Sequence, residues 1–153
     1  MSRRSVRRDG AQNEMYVTLK DDVQLFESYK DVFMAALMYG YTNERRKKIK
    51  NGPEILLGIF SSQDIQFMKM IMYLEKEYEL FSTEDEAESA DMNFENFEII
   101  EEYAAGGLEG LYHELQNHLS DSEAAQNAYL DLMMKYENQD FSTEDLINEL
   151  PLK

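Results

Sequence analysis

The residues that come nearest to a catalytic spacing in this chain are His113-Glu114-Leu115-Gln116-Asn117-His118. Zinc hydrolases place two histidines four apart, as His-Glu-x-x-His, so that both imidazoles lie on one helix face and meet one ion. Here the interval is five residues, about 140° around a helix. On a continuous helix the two rings diverge, and the chain has no third histidine. A di-iron bundle asks for a glutamate three residues before a histidine, whereas Glu109 stands four before His113. The absence of cysteine excludes a thiolate nucleophile, a disulfide and a thiolate metal site. No Gly-x-Ser-x-Gly elbow occurs, and Gly106-Gly107-Leu108-Glu109-Gly110 lacks the Gly-Lys-Ser/Thr ending with which a P-loop grips phosphate. These patterns predict no catalytic residue, no metal site and no cofactor.

Binding chemistry is better represented. Residues 1–50 hold eleven of the fifteen Lys/Arg and seven of the thirty-one Asp/Glu, a net of +4, while residues 51–153 carry −20. The bases gather in Arg3, Arg4, Arg7 and Arg8, and more densely in Arg45, Arg46, Lys47, Lys48 and Lys50. The second cluster has three open uses: gripping phosphates by sequence-blind, salt-dependent contacts, docking an acidic protein surface, or pairing with this chain's own acids. Tyr39 and Tyr41 could stack on bases or pack at the rim of the core. Gly106, Gly107 and Gly110 form a side-chain-poor patch that admits another backbone, from a partner or from within. Glu98, Glu101, Glu102 and Glu109 fall opposite an apolar stripe and read as a solvated face.

The elements that carry these residues follow from caps and periodicity. Phe60-Ser61-Ser62-Gln63-Asp64, Phe81-Ser82-Thr83-Glu84-Asp85 and Phe141-Ser142-Thr143-Glu144-Asp145 repeat one pattern, and Ser28-Tyr29-Lys30-Asp31 shares its core. A serine hydroxyl that accepts from a first-turn amide, followed by early acids, marks a helix start. A preceding Phe can staple onto the fourth helical residue, Ile65 or Leu146. The steps Phe26, Tyr29, Phe33, Ala36, Gly40 predict helix over about 18–41, with a break at Ser28. Residues 65–78 are apolar nearly all round, which predicts a central, buried helix. The stripe Phe94, Phe97, Ile100, Ala104, Leu108, Leu111, Leu115, Leu119 stays in phase through Gly106-Gly107, as one long helix or two collinear ones. Ala125, Tyr129, Leu132 and Tyr136 mark a further helix, and residues 146–150 a short one stopped by Pro151. Asn51-Gly52-Pro53 signals a turn and allows a hairpin over 49–59. Residues 82–92 read as an acidic mobile loop and residues 1–12 as a disordered basic arm.

The expected fold is therefore all-α: a compact bundle of five or six helices, with residues 13–153 as a single domain behind the arm. A hydrophobic share of 43%, with ten tyrosines and eight phenylalanines, is enough for a core. No run approaches the roughly 20 apolar residues of a membrane helix. No apolar segment follows the arginine-rich start, so it does not read as a secretory signal. These features predict a cytoplasmic protein. The net charge of −16 favours solubility and repels DNA at long range.

Two segments carry a family likeness. Phe26, Lys30-Asp31-Val32-Phe33-Met34-Ala35-Ala36-Leu37 and Gly40-Tyr41, together with Glu101-Glu102-Tyr103-Ala104 and Gly106-Gly107-Leu108, resemble DNA phosphorothioation-associated protein 4. Proteins of that family are encoded beside the bacterial genes that replace a non-bridging phosphate oxygen of DNA with sulfur, and beside linked restriction genes. The likeness spans about residues 14–136. Ala105 stands where the pattern leads one to expect a polar residue, and the basic arm is peculiar to this chain. The resemblance implies an accessory role in DNA modification or phage defence and brings no catalytic residues. The expected partners are other proteins of such a gene cluster, met through Arg45, Arg46, Lys47, Lys48 and Lys50 and through the Gly106, Gly107, Gly110 patch. Weak DNA contact through residues 1–50, or an acidic body that mimics DNA, are the alternatives.

Overall fold

The computed structural model describes residues 5–75 and 97–140, with side chains through Lys135 in the second stretch. Two compact units are present, Met1–Glu114 and Leu115–Lys153. In the first, strand β1 (Ser5–Arg7) leads through a 3-10 turn (Gly10–Gln12) into α1 (Asn13–Val17), which widens into a π turn (Thr18–Asp22). Helix α2 (Tyr29–Thr42), strand β2 (Glu54–Leu56), a second 3-10 turn (Leu57–Ile59), α3 (Ser62–Glu75) and α4 (Phe97–Leu115) follow. In the second unit a 3-10 turn, Gln116–His118, precedes α5 (Ser122–Asp140). The described residues are thus mostly helical, with five α-helices, but not strictly all-α. The loop expected at 82–92, the copies of the capping pattern at 81–85 and 141–145, and the short helix at 146–150 lie outside the described residues. No helix among the described residues is long and apolar enough to cross a membrane.

The predicted caps form where they can be seen. The Ser28 hydroxyl accepts from the Asp31 amide at 3.2 Å and starts α2 after a break. Ser61 and Asp64 satisfy each other reciprocally, hydroxyl from amide at 3.0 Å and carboxylate from amide at 3.2 Å, a capping box of about 1 kcal/mol. Phe60, just before that box, is buried edge-on against Phe33 at 5.9 Å. In α5 the Asp121 carboxylate accepts from the Glu123 amide, and Ala125 and Leu132 are buried while Leu130 and Met134 are exposed.

Three expectations are corrected. Residues 5–12 are not a disordered arm. Val6 is fully buried, and β1 pairs antiparallel with β2 in the register Ser5↔Leu56, Val6↔Ile55, Arg7↔Glu54. The strand partner of the 54–56 segment is therefore this arm, so a hairpin closed within 49–59 does not form. Finally, α3 is not the central helix: Met68, Ile71 and Met72 are buried, but Met70, Tyr73 and Leu74 are exposed. That place belongs to α4, buried from residue 99 to 111 except at Glu102 and Glu109.

Size decides between the two helices. A helix enclosed on several sides needs small residues as well as apolar ones, because side chains set how near a neighbour's axis can come. α4 carries Ala104, Ala105, Gly106, Gly107 and Gly110, whereas α3 is studded with Met and aromatic rings. α2 crosses α4 backbone to backbone. A Cβ on Gly107 would collide with the Ala36 carbonyl oxygen, and one on Gly40 with that of Tyr103. Gly106-Gly107 therefore does not interrupt α4, which runs unbroken through it.

α2 ends in a Schellman turn, with the Arg45 amide bonded to the Gly40 carbonyl at 2.8 Å and the Glu44 amide to Tyr41 at 3.3 Å. Glu44 occupies the left-handed position at φ 53°, where glycine is ordinarily preferred. Two outcomes follow. Gly107→Ala should destabilise the protein by about 3 kcal/mol or more, since the obstacle is main chain and cannot swing aside. Glu44→Gly should stabilise it by about 0.5–1 kcal/mol by relieving the left-handed strain. Urea unfolding of both variants checks the pair.

Candidate functional site

The Schellman turn sends the chain back along α4 as an extended strap, residues 45–50, and this strap is the basic cluster. The Arg45 guanidinium donates through Nε to the Gly106 carbonyl at 3.1 Å and pairs through Nη2 with Glu109 at 3.1 Å. Arg46 grips a single Glu102 oxygen through Nη2 at 2.6 Å and Nε at 3.1 Å, with its guanidinium 5.4 Å from the centre of the Tyr103 ring. The Lys47 amide donates to the Glu102 carbonyl at 3.1 Å, and its ammonium reaches Asp9 at 3.0 Å. Mid-helix carbonyls can take these second hydrogen bonds because each oxygen keeps a spare lone pair. The strap comes close enough because Gly106 is bare: a methyl group there would sit 2.5 Å from the Arg45 carbonyl oxygen. One on Gly110 would lie 2.6 Å from the Tyr39 ring.

Asp9 anchors the far end. Its side chain is completely enclosed and accepts from the Ala11 amide at 3.0 Å, the Lys50 amide at 3.0 Å and the Lys47 ammonium. Burial opposes its ionisation, but the Lys50 and Ala11 amides and the Lys47 ammonium together outweigh burial and hold the carboxyl below its ordinary 3.8. Its neighbour Arg8, also buried, lies 4.5 Å from the ring centres of both Tyr16 and Tyr29 and donates to Asn13 at 3.1 Å. Burial raises the Tyr16 hydroxyl's pKa. Gln12 donates from within the core to the Ala105 carbonyl at 2.8 Å. This part of the chain, expected to be a free arm, is thus a polar knot that ties β1 to α1, α2, α4 and the strap.

The predicted site residues separate into two groups. Gly106, Gly107 and Gly110 are buried and covered by α2 and the strap, so the expectation that they form a partner surface is corrected: the close packing is internal. Of the bases, Arg45, Arg46 and Lys47 are engaged by Glu109, Glu102 and Asp9. Lys48 and Lys50 are exposed, and their ammonium groups have no ion pair among the described residues. Tyr41 packs edge-on against Phe67 and Tyr103, at 6.4 and 5.5 Å, as a rim residue. The acids expected on one solvated face are divided: Glu98 and Glu109 are exposed, Glu102 is half-buried beneath Arg46, and Glu101 is buried with its carboxylate accepting from the Arg7 amide at 2.6 Å. The Tyr103 hydroxyl donates to Glu75. Burial, then that carboxylate, pushes the Tyr103 hydroxyl up to about 12. His113 and His118 are exposed, and α4 gives way to the 3-10 turn between them. Among the described residues no three His, Asp or Glu side chains group as metal ligands.

The fold is that of a small helical protein with a two-stranded sheet, its polar groups largely engaged with one another around α4. The chain belongs to the DNA sulphur modification system-associated protein 4 family, whose model matches residues 5–149. No curated protein and no solved structure matches it.

The Asp9 knot can be tested through pH. A carboxyl whose folded value lies below its unfolded one contributes stability that is complete above the unfolded value and is lost as pH falls through the folded one. Asp9→Asn should therefore cost about 1–3 kcal/mol at neutral pH. Its deficit against wild type should shrink as the pH falls below 3.8. Denaturant titrations across that range measure the gap, and a constant gap would contradict the assignment.

Proposed function

We propose that this protein is a non-enzymatic accessory component of a DNA sulphur modification system, and that it works by docking the strap, residues 45–50, onto another protein of that system. The observation that carries this reading is the way the strap is held. Backbone bonds to Gly40 and Glu102 and the Asp9 anchor fix its course, so its main chain adds little ordering cost on binding. Lys48 and Lys50 make no ion pair among the described residues, and the Arg45 and Arg46 guanidiniums are both part-exposed, the half-exposed Arg45–Glu109 pair being worth only about 0–1 kcal/mol. An acidic protein surface can therefore recruit all four.

Protein contact fits better than DNA contact because Glu102, Glu109 and Asp9 already offset three of the five strap charges. The whole chain carries −16, so the positive field that draws proteins to DNA is largely cancelled. Reversing the two free charges, Lys48→Glu with Lys50→Glu, leaves every described anchor of the strap in place. That double variant should keep wild-type thermal stability and lose co-purification with the products of the neighbouring sulphur-modification genes. Undiminished capture would remove the strap from the account, and a low-salt gel shift with DNA that disappears at high salt would favour the nucleic-acid reading.

A further inference from the structure

The two edges of the small sheet are unlike. In an antiparallel ladder alternate residues turn their main-chain groups toward the partner strand and the others turn them away. The Arg8 amide bonds to the Pro53 carbonyl at 2.8 Å, so Val6 and Ile55, two positions on, face each other as a bonded pair. Ser5 and Arg7 then point out of β1, and Glu54 and Leu56 out of β2. The outer edge of β1 is closed by α4, whose buried Glu101 takes the Arg7 amide at 2.6 Å. On β2 nothing among the described residues takes the main-chain groups of Glu54 or the Leu56 amide, while the Leu56 carbonyl serves the 3-10 turn that follows.

The surroundings of that open edge are apolar and uncrowded. Leu56 is 60% exposed and Ile59 56% exposed. Gly58 between them has empty space where a side chain would stand. Proteins ordinarily blunt a free edge with charge or cover. Here one edge is covered by a dedicated carboxylate, and among the described residues the other leaves the Glu54 main-chain groups and the Leu56 amide unpaired beside two exposed apolar side chains.

We infer that the outer edge of β2 is a strand-addition site for an extended segment of a partner protein. The segment pairs its main chain with Glu54 and with the Leu56 amide and sets an apolar side chain beside Leu56 and Ile59. The occupant is a different protein, not a second copy. Two chains of −16 repel each other. By the same charge argument the segment is not acidic. This inference rests on the docking reading above and specifies how the partner is held.

Leu56→Pro isolates the edge. Leu56 sits at φ −67°, the angle proline imposes, and its amide points away from β1, so the substitution removes the outward donor and leaves the ladder intact. The full chain, wild type or variant, is co-expressed with the neighbouring sulphur-modification gene products. The expected result is a melting temperature unchanged from wild type with capture about tenfold weaker. In the wild-type complex, amide exchange at Leu56 should slow about tenfold relative to the free protein, with Ile55 unaffected. Wild-type capture by Leu56→Pro, or a Leu56 amide that exchanges equally fast free and bound, overturns the inference. If the Lys48, Lys50 reversal abolishes capture while Leu56→Pro does not, docking stands and strand addition falls. If wild type captures none of these proteins, both fall. A wild-type dimer that Leu56→Pro dissociates overturns the assignment to a different protein.

Discussion

α4 can stand at the centre of this protein because it carries so little side-chain volume where its neighbours cross it. Gly107 admits the α2 backbone at Ala36, Gly40 returns the contact at Tyr103, and Gly106 admits the strap at Arg45. Each of these is a main-chain contact with no soft side chain to yield, so α2, α4 and the strap hold one set of distances. The other arrangements depend on those distances. Only with the strap lying in the glycine groove do Arg45 and Arg46 meet Glu109 and Glu102, and only then does Lys47 reach Asp9.

Asp9 is the polar counterpart of that groove. A fully enclosed carboxylate would be costly if left alone. Two amides and an ammonium satisfy it, and all three come from segments with no regular structure or a single turn. It therefore does for the 8–12 and 45–50 segments what a hydrophobic core does for the helices, giving irregular chain a defined path. Arg8, between two tyrosine rings, and Gln12, on the Ala105 carbonyl, extend the same knot into the core. The outcome is a basic strap with a defined path, beside a sheet whose β1 edge is sealed by Glu101.

Much of the helical framework was legible in the residues. The Ser28 and Ser61 caps are short-range devices: a hydroxyl, an amide three residues on and an early acid are all local, so their pattern survives in one dimension. The phase of Ile100, Ala104, Leu108, Leu111 and Leu115 was legible, because a 3.6-residue period repeats along the chain itself, but it left open one long helix or two collinear ones, and the structure has one. Three judgements that needed a distant segment failed. Ser5-Val6-Arg7 is too short to announce a strand, and its partner lies some fifty residues on. Glu101 sits on the polar side of its helix by period, yet β1 covers it. Residues 65–78 looked central by apolar count, but centrality turned on the small size of α4's residues.

For this chain, then, composition and local spacing determined that it would be mostly helical, where two of its helices begin, which apolar stripe stays in phase and which residues form its basic cluster. They did so because capping, periodicity and charge act between near neighbours. The tertiary structure alone decided which helix is enclosed, that the glycines serve internal packing, which bases are engaged and which project, and that an arginine-rich arm becomes a strand with a buried carboxylate beside it. Those outcomes depend on which remote surfaces come into contact, and contact is settled by volume and by the need to satisfy buried polar groups.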